Sequence, residues 1–339
     1  MTLKVLHLVG SAVSEFYVDL SRLYATDCLA ATTDPARYDM QIAYVTPDLQ
    51  WRFPVDLSRA AIQAAPPMSV THAAEHLVVL APDVMVPQMF CIPGMTTYRW
   101  LFDLLGIPYV GNVPAVMALT ANKALAKAVV QGAGVRVPRG EVLRAGEQPT
   151  IGLPAVVKPV AADNSFGVAF VREPAGWTAA LASAREHGSD VLVEEYIALG
   201  REVRCGILER DGELLCLPLE EYRMDGPVRG HAEKIGTGDG GDLRLVAKDG
   251  VRAWIVDPAD PVTAKVWAAA KACHVALGCR DYSLFDFRID PAGEPWFLEA
   301  SLYCSFAHQS VLSTMARAVG IEASELFARS LQARVRPLL

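Results

Sequence analysis

Long hydrophobic runs are missing from this chain. Nowhere in its 339 residues do about 18 or more uncharged apolar residues follow one another, which excludes the usual membrane-spanning helix. An excess of positive charge is missing too. Lys and Arg number 31 against 38 Asp and Glu, a net charge of −7, whereas a general nucleic-acid binder carries a basic patch. Paired cysteines are also absent. Cys28, Cys91, Cys205, Cys216, Cys273, Cys279 and Cys304 are scattered, odd in number and without CxxC spacing, so neither a disulfide framework nor a zinc site is indicated and reduced, cytoplasmic thiols are expected. There are no internal repeats or low-complexity tails. The opening Met1–Gly10 is too short an apolar run for a signal peptide and reads as a first strand.

What is present suits a soluble enzyme of two or three domains, because a chain of this length can bury several cores. Residues 1–118 carry strand signals at 4–9, 40–45 and 82–87, alternating with helical stretches. This spacing predicts an open α/β domain with parallel strands. Asn122 is placed to cap a helix bearing Lys123, which Gly132 and Gly134 end. Residues 119–195 then form a small α+β domain. From 196 to 339 strands bearing Glu202, Asp286 and Glu299 build a larger half, closed by helices near 262–277 and 308–333.

The chemistry concentrates in a few segments. In the strand-like Glu294–Ser301, side chains alternate between faces, so Glu299 and Ser301 emerge together from an apolar ribbon. If the preceding strand pairs with it, Asp286 joins them in an oxygen-only cluster of the kind Mg²⁺ or Mn²⁺ prefers beside nucleotide phosphates. A solvated strand edge, or Glu299 paired with Arg288, would give the same pattern. Ala155–Pro159 is an apolar strand ending in Lys158, and the small-residue loop 161–168, with Ser165, can fold over phosphates and offer backbone N–H groups. Val191–Ile197 reads as a strand running into a linker suited to a flat adenine, and Glu202 follows at a distance suited to ribose hydroxyls. The stretch 224–243 holds six glycines and three aspartates, too Gly-rich for a stable helix or strand. A mobile loop is expected there.

Taken in order, these segments resemble the ATP-grasp superfamily and, within it, the D-alanine:D-alanine ligase group. The likeness runs through Asn122–Lys127, Val157–Pro159, Val193–Ile197, Gly200–Glu202, Lys234, Leu277–Cys279, Asp286 and Leu298–Ala300. It implies a three-domain ATP-grasp fold, α/β and α+β, with ATP between the central and C-terminal domains. It further implies that Lys123 and Lys158 contact ATP phosphates, that Glu194, Glu195 and Ile197 belong to the adenine linker, and that Glu202 binds ribose. Lys234 matches a mobile-loop lysine reaching the terminal phosphate. Asp286 and Glu299 match two metal-binding carboxylates, and Ser301 stands where the group has asparagine.

Departures from the group bear on substrate. Ile235 replaces the tyrosine expected after the loop lysine, Asn164 a loop serine, and Leu284 the arginine expected two residues before Asp286. Met89–Met95 replaces a His-Gly and acidic stretch. Arg288, two residues beyond Asp286 and so on the same strand face, is the candidate to stabilise an oxyanion instead. Glu15 aligns with an acid that receives the first amino acid's ammonium, though it also reads as an ordinary acid at a helix start. Ser310 aligns with a hydroxyl that receives the second substrate's carboxylate, and Tyr303, Ser305 and His308 lie where acceptor specificity would be written. His231 is a candidate substrate contact in the mobile loop. His274 is expected to be a packed or surface histidine.

The implied activity is an ATP-dependent carboxylate–amine ligase acting through an acyl phosphate, with ATP and Mg²⁺ (or Mn²⁺) as cofactors. Its partners are small amino or carboxylic acids, without nucleic acid or membrane, and the resemblance implies a homodimer. The departures favour a specialised dipeptide ligase over a D-alanine:D-alanine ligase proper. An acyl-phosphate kinase and a non-catalytic ATP-binding regulator are the other readings.

Overall fold

A computed structural model of the chain describes residues 2–162, 165–229, 235–237, 243–245, 252–303 and 305–335. In chain order it begins with β1 (Leu3–Gly10), α1 (Glu15–Thr32), β2 (Tyr38–Val45), β3 (Trp51–Arg52), α2 (Arg59–Ala64), α3 (Val70–Leu80), β4 (Val84–Pro87), α4 (Ile92–Met95), α5 (Thr97–Leu104) and α6 (Pro114–Ala121). There follow α7 (Lys123–Gly132), β5 (Gly140–Leu143), β6 (Ala155–Pro159), β7 (Ala169–Val171), α8 (Trp177–Arg185), β8 (Val191–Glu195), β9 (Arg201–Arg210), β10 (Glu213–Cys216) and β11 (Glu220–Tyr222). The chain continues through β12 (Ile235–Thr237), β13 (Leu243–Leu245), β14 (Ala253–Ile255), α9 (Pro261–Leu277), β15 (Tyr282–Ile289), β16 (Pro295–Ala300), α10 (Val311–Arg317) and α11 (Ala323–Gln332). No helix of the described residues is long and apolar enough to cross a membrane.

Two compact units divide these elements. The first comprises residues 1–118, 280–282 and 303–339, the second 119–279 and 283–302. The sequence reading joins 303–339 to a C-terminal domain; the structure places this segment in the first unit. The physical reason is the apolar face of α11. Its fully buried Phe327 stacks on His7 of β1 at 6.0 Å and meets Tyr38 edge-on at 5.6 Å, completing a core the N-terminal residues leave open. Helices α10 and α11 are separate, broken at Gly320, whose φ of +77° suits glycine.

The first unit is built on a sheet of order β3-β2-β1-β4, with β1 parallel to both β2 and β4. Its central strand is apolar on both sides, as a sheet covered on both faces requires. Leu6 and Leu8 pack with Val45, Trp51, Met85 and Phe102, whereas Val9 packs with Val18 and Ala25 of α1.

The second unit contains two sheets. In the smaller, of order β5-β8-β6-β7 and antiparallel throughout, Ala155, Val157, Val191 and Val193 pack with Ala180, Leu181 and Ala184 of α8. The alternate residues Val156, Lys158 and Glu194 line a cavity. The larger sheet has order β14-β11-β9-β15-β16, with β10 beside β9. Strands β12 and β13 pair antiparallel, Gly236 opposite Arg244. Both lie in or beside the stretch predicted to be too Gly-rich for strands; backbone pairing between 235–237 and 243–245 satisfies peptide groups without needing strand-forming side chains.

Candidate active site

The cavity of the second unit is lined from both of its sheets. Lys158, Glu194, Glu195 and Ile197 come from β6, β8 and the linker after it; Glu202, Tyr222, Asp286, Arg288, Leu298 and Glu299 come from the larger sheet. Lys123, Ser165 and Arg229 add to the wall. Thus ten of the sequence candidates converge: Lys123, Lys158, Ser165, Glu194, Glu195, Ile197, Glu202, Asp286, Arg288 and Glu299.

Local folding explains each placement. The Asn122 side chain accepts from Leu125 N at 3.0 Å and starts α7, while Lys123 N donates to Val160 O at 3.0 Å, tying the helix start to the end of β6. Gly200 enters β9 so close to β15 that a Cβ would lie 2.8 Å from Ile289 O. The two strands can therefore approach with Glu202 facing Arg288. Asp286 and Glu299 are direct cross-strand partners, as expected, but β16 carries an irregularity beyond that pair: Phe287 faces Phe297, leaving Leu298 extra. A bulge of this kind lets consecutive residues face one way, so Leu298 and Glu299 both line the cavity while Phe297 is buried.

Ion pairs organise the carboxylates. Asp286 Oδ1 accepts from Arg204 Nε at 2.8 Å, and Arg204 Nη1 reaches Glu220 Oε2 at 3.3 Å. Burial opposes the Arg204 charge, but Asp286 and Glu220 hold its pKa well above the ordinary value. Arg288 grips Glu202 through Nε (2.8 Å) and Nη2, and also donates to Ile197 O and Pro227 O. The second Glu202 oxygen accepts from the Tyr222 hydroxyl at 2.8 Å. Lys123 lies 3.6 Å from Glu299 and donates to Ala162 O. Glu194 sits between Lys158, at 2.6 Å, and Lys127. Burial raises the Glu194 pKa, yet the two ammonium groups overcome this and hold it below the usual range; burial pushes Lys127 down to about 7. The Tyr222 ring carries two guanidinium groups, Arg204 at 4.9 Å and Arg229 at 4.3 Å.

Arg288, the oxyanion candidate of the sequence reading, is held by ion-pair and carbonyl contacts in this geometry. Its guanidinium is committed to Glu202 and two carbonyls, and Asp286 pairs with Arg204, from the neighbouring β9. Glu202 retains accepting capacity, because each carboxylate oxygen has two lone pairs. Ser301 is not among the residues lining the cavity, and its N donates to Leu284 O at 2.8 Å. No cluster of three or more metal-ligating His, Cys, Asp or Glu occurs among the described residues, but Mg²⁺ beside phosphates needs only one or two carboxylates. The oxygen-only Asp286–Glu299 pair fits that requirement.

The remaining candidates lie in the first unit or outside the described residues. Glu15 is exposed in the first turn of α1. Tyr303 is 6.2 Å from the Phe90 ring, Ser305 is 3.3 Å from Gln88 Oε1, and the side chain of Ser310 caps α10 by accepting from Ser313 N. His308 is exposed, its carbonyl taking Arg317. Lys234 and His231 lie outside the described residues. His274 is buried, with Nδ1 2.8 Å from Ser283 Oγ, a packed histidine as expected.

Sequence reading missed Arg204, Glu220, Tyr222, Lys127, Arg229 and Leu298. For two of them a signal existed: Arg204 is two residues from Glu202 on a strand, and Lys127 one helical turn from Lys123.

Residues 129–332 match the family model described as D-ala D-ala ligase C-terminus. A D-alanine–D-alanine ligase of Citrifermentans bemidjiense is 34% identical over 237 residues, 69% of this chain and 72% of that protein. One from Mycobacterium sp. (strain KMS) is 29% identical over 93% of this chain and 94% of its own. In structure, the VanG D-Ala:D-Ser ligase of Enterococcus faecalis aligns with a TM-score of 0.79 at 23% identity, covering 98% of this chain and 99% of that one, a likeness of fold. The chain therefore belongs to the D-alanine:D-alanine ligase family, ATP-grasp enzymes that join a carboxylate to an amine at the expense of ATP.

Proposed function

We propose that the chain is a D-alanine:D-alanine ligase, joining two D-alanine molecules through an acyl phosphate and using Mg²⁺ and ATP bound in the cavity of the second unit. The observation that carries this reading is the 34% identity to a curated D-alanine–D-alanine ligase across more than two thirds of both chains. It displaces the specialised dipeptide ligase favoured by the sequence departures. The cavity supports it chemically. A carboxylate is a poor electrophile until phosphorylated, and phosphoryl transfer is chiefly positioning and charge neutralisation.

Lys123 and Lys158 supply cations at the wall, Glu195 and Ile197 stand where an adenine would lie, and Glu202 is fixed to receive ribose hydroxyls. Asp286 and Glu299 would hold Mg²⁺, which when bound offsets the triphosphate charge as an anionic acceptor approaches. Lys234, Glu15 and Ser310 are assigned to the terminal phosphate, the first ammonium and the second carboxylate.

A second reading, a different amino-acid pair, is favoured by Leu284 where the group carries arginine. ADP release with ATP and Mg²⁺ should be measured with D-alanine alone and with a matrix of L- and D-amino acids, followed by mass analysis. Release with D-alanine alone, giving a product of two alanines less one water, is the expected result. Release only with another pair would replace the substrate assignment. Acid-dependent release trapped as hydroxamate without an amine would indicate a kinase, and ATP binding without turnover a regulator.

A further inference from the structure

We propose that Lys127 is a positioning residue for the nucleotide: by holding one oxygen of Glu194 from α7, it leaves the Lys158 ammonium charge available to phosphate in the cavity. This rests on reading the cavity as the ATP site. Lys127 is absent from the cavity lining, so it acts through its neighbours.

The geometry is a buried three-membered chain. Lys127, Glu194 and Lys158 are 5%, 2% and 8% exposed. Each carboxylate oxygen takes one ammonium, Oε1 from Lys127 and Oε2 from Lys158 at 2.6 Å. The three side chains come from α7, β8 and β6, so they meet only when the helix and the small sheet are docked. With Lys127 protonated, two cations share one anion and leave a net positive charge, and of the two only Lys158 lines the cavity.

Without Lys127, Glu194 and Lys158 would become a closed neutral pair. The attraction of Lys158 for an incoming phosphate would be set against a full carboxylate charge rather than a shared one, in surroundings where charges are poorly screened. Lys123, one turn earlier on the same face of α7, is directed to Glu299 and Ala162 O instead. The helix thus serves both sides of the cavity, directly through Lys123 and indirectly through Lys127.

The test compares wild-type protein with Lys127→Met, Lys127→Arg, Lys158→Met and the Lys127→Met/Lys158→Met double variant. Calorimetry gives the Kd for Mg-ATP, and ADP release gives KM for ATP and kcat. Lys127→Met should weaken ATP by about tenfold or more with kcat changed less than threefold, Lys127→Arg should recover most of the loss, and Lys127→Met should add little once Lys158 is gone. Unchanged ATP affinity in a folded Lys127→Met, or an equal loss with and without Lys158, overturns the proposal. If Lys127→Met does not fold, Lys127→Gln offers the complementary measurement: it should weaken ATP as Lys127→Met does, and unchanged binding in folded protein overturns the proposal. Failure of wild-type protein itself to bind ATP would instead refute the nucleotide reading beneath it.

Discussion

Replacing His7 by Phe should raise the acid resistance of the chain by an amount the structure fixes. His7 lies on the central strand β1, fully buried, stacked on Phe327, and neither ring nitrogen finds a hydrogen-bond partner among the described residues. Burial pushes its pKa from the ordinary 6.5 down to about 4. Between these values the unfolded chain takes up a proton that the folded chain refuses. Stability is therefore full above pH 6.5 and falls as pH drops, levelling off below about 4. At about 1.4 kcal/mol per pH unit, the interval amounts to about 3 kcal/mol. His7→Phe keeps a ring against Phe327 and removes the titration. Urea unfolding followed by tryptophan fluorescence at pH 7.5, 6.5, 5.5 and 4.5 gives the assay, and taking the difference between wild type and variant cancels groups that titrate in both. The difference should be flat above pH 6.5 and then grow in favour of the variant by about 1.4 kcal/mol per unit down to pH 4.5. Parallel curves across the whole range would refute the reasoning, showing that His7 either meets a partner or is protonated in the fold.

Arg288→Leu should destabilise the protein by about 3–5 kcal/mol, because it strands the buried Glu202 carboxylate, whereas Arg288→Leu combined with Glu202→Leu should lose less; a double variant less stable in thermal unfolding than the single would contradict this. Arg204→Leu should lower kcat by about 100-fold, and adding Leu284→Arg, which puts a cation on the same face as Asp286, should restore part of it. Unaltered kcat in Arg204→Leu would show that the Asp286 partner has no part in turnover. Chelation of divalent ions should abolish ADP release, and Asp286→Asn or Glu299→Gln should shift the Mg²⁺ dependence to higher concentration; a titration indistinguishable from wild type would remove these carboxylates from the metal assignment.

Much of the site was legible because strands write their faces two residues apart. That Asp286 would join Glu299 if their strands paired followed from alternation, and the two are cross-strand partners. The partner of each charge was not legible. Arg288 was read as an oxyanion candidate on the Asp286 face, or as a partner of Glu299, but its spatial neighbour is Glu202, 86 residues away, while Asp286 takes Arg204, 82 residues away. Only the order in which β9 and β15 enter the sheet decides such pairings. Leu298 was hidden by the bulge, since alternation directs it away from the cavity. The membership of 303–339 was equally invisible: the apolar face of α11 is evident from its spacing, but not which core it closes.

The charges on the cavity face of the larger sheet also act as a check on assembly. Glu220 stands opposite Arg204 in the β11–β9 register, Arg204 meets Asp286, and Glu202 meets Arg288. A slip of one residue in any of these strands would turn the charges toward the opposite, apolar face, where Val203, Cys205, Phe285 and Phe287 are wholly buried. A slip of two in the β11–β9 pair would set Glu220 against Glu202 in one direction and against Gly206 in the other. Either error leaves uncompensated charge in the interior, at several kcal/mol per ion. Apolar strands alone would tolerate such shifts far better. The ion pairs on this surface thus also proofread the pairing of strands that are distant in sequence, so a substitution that breaks one of them is expected to loosen the register as well.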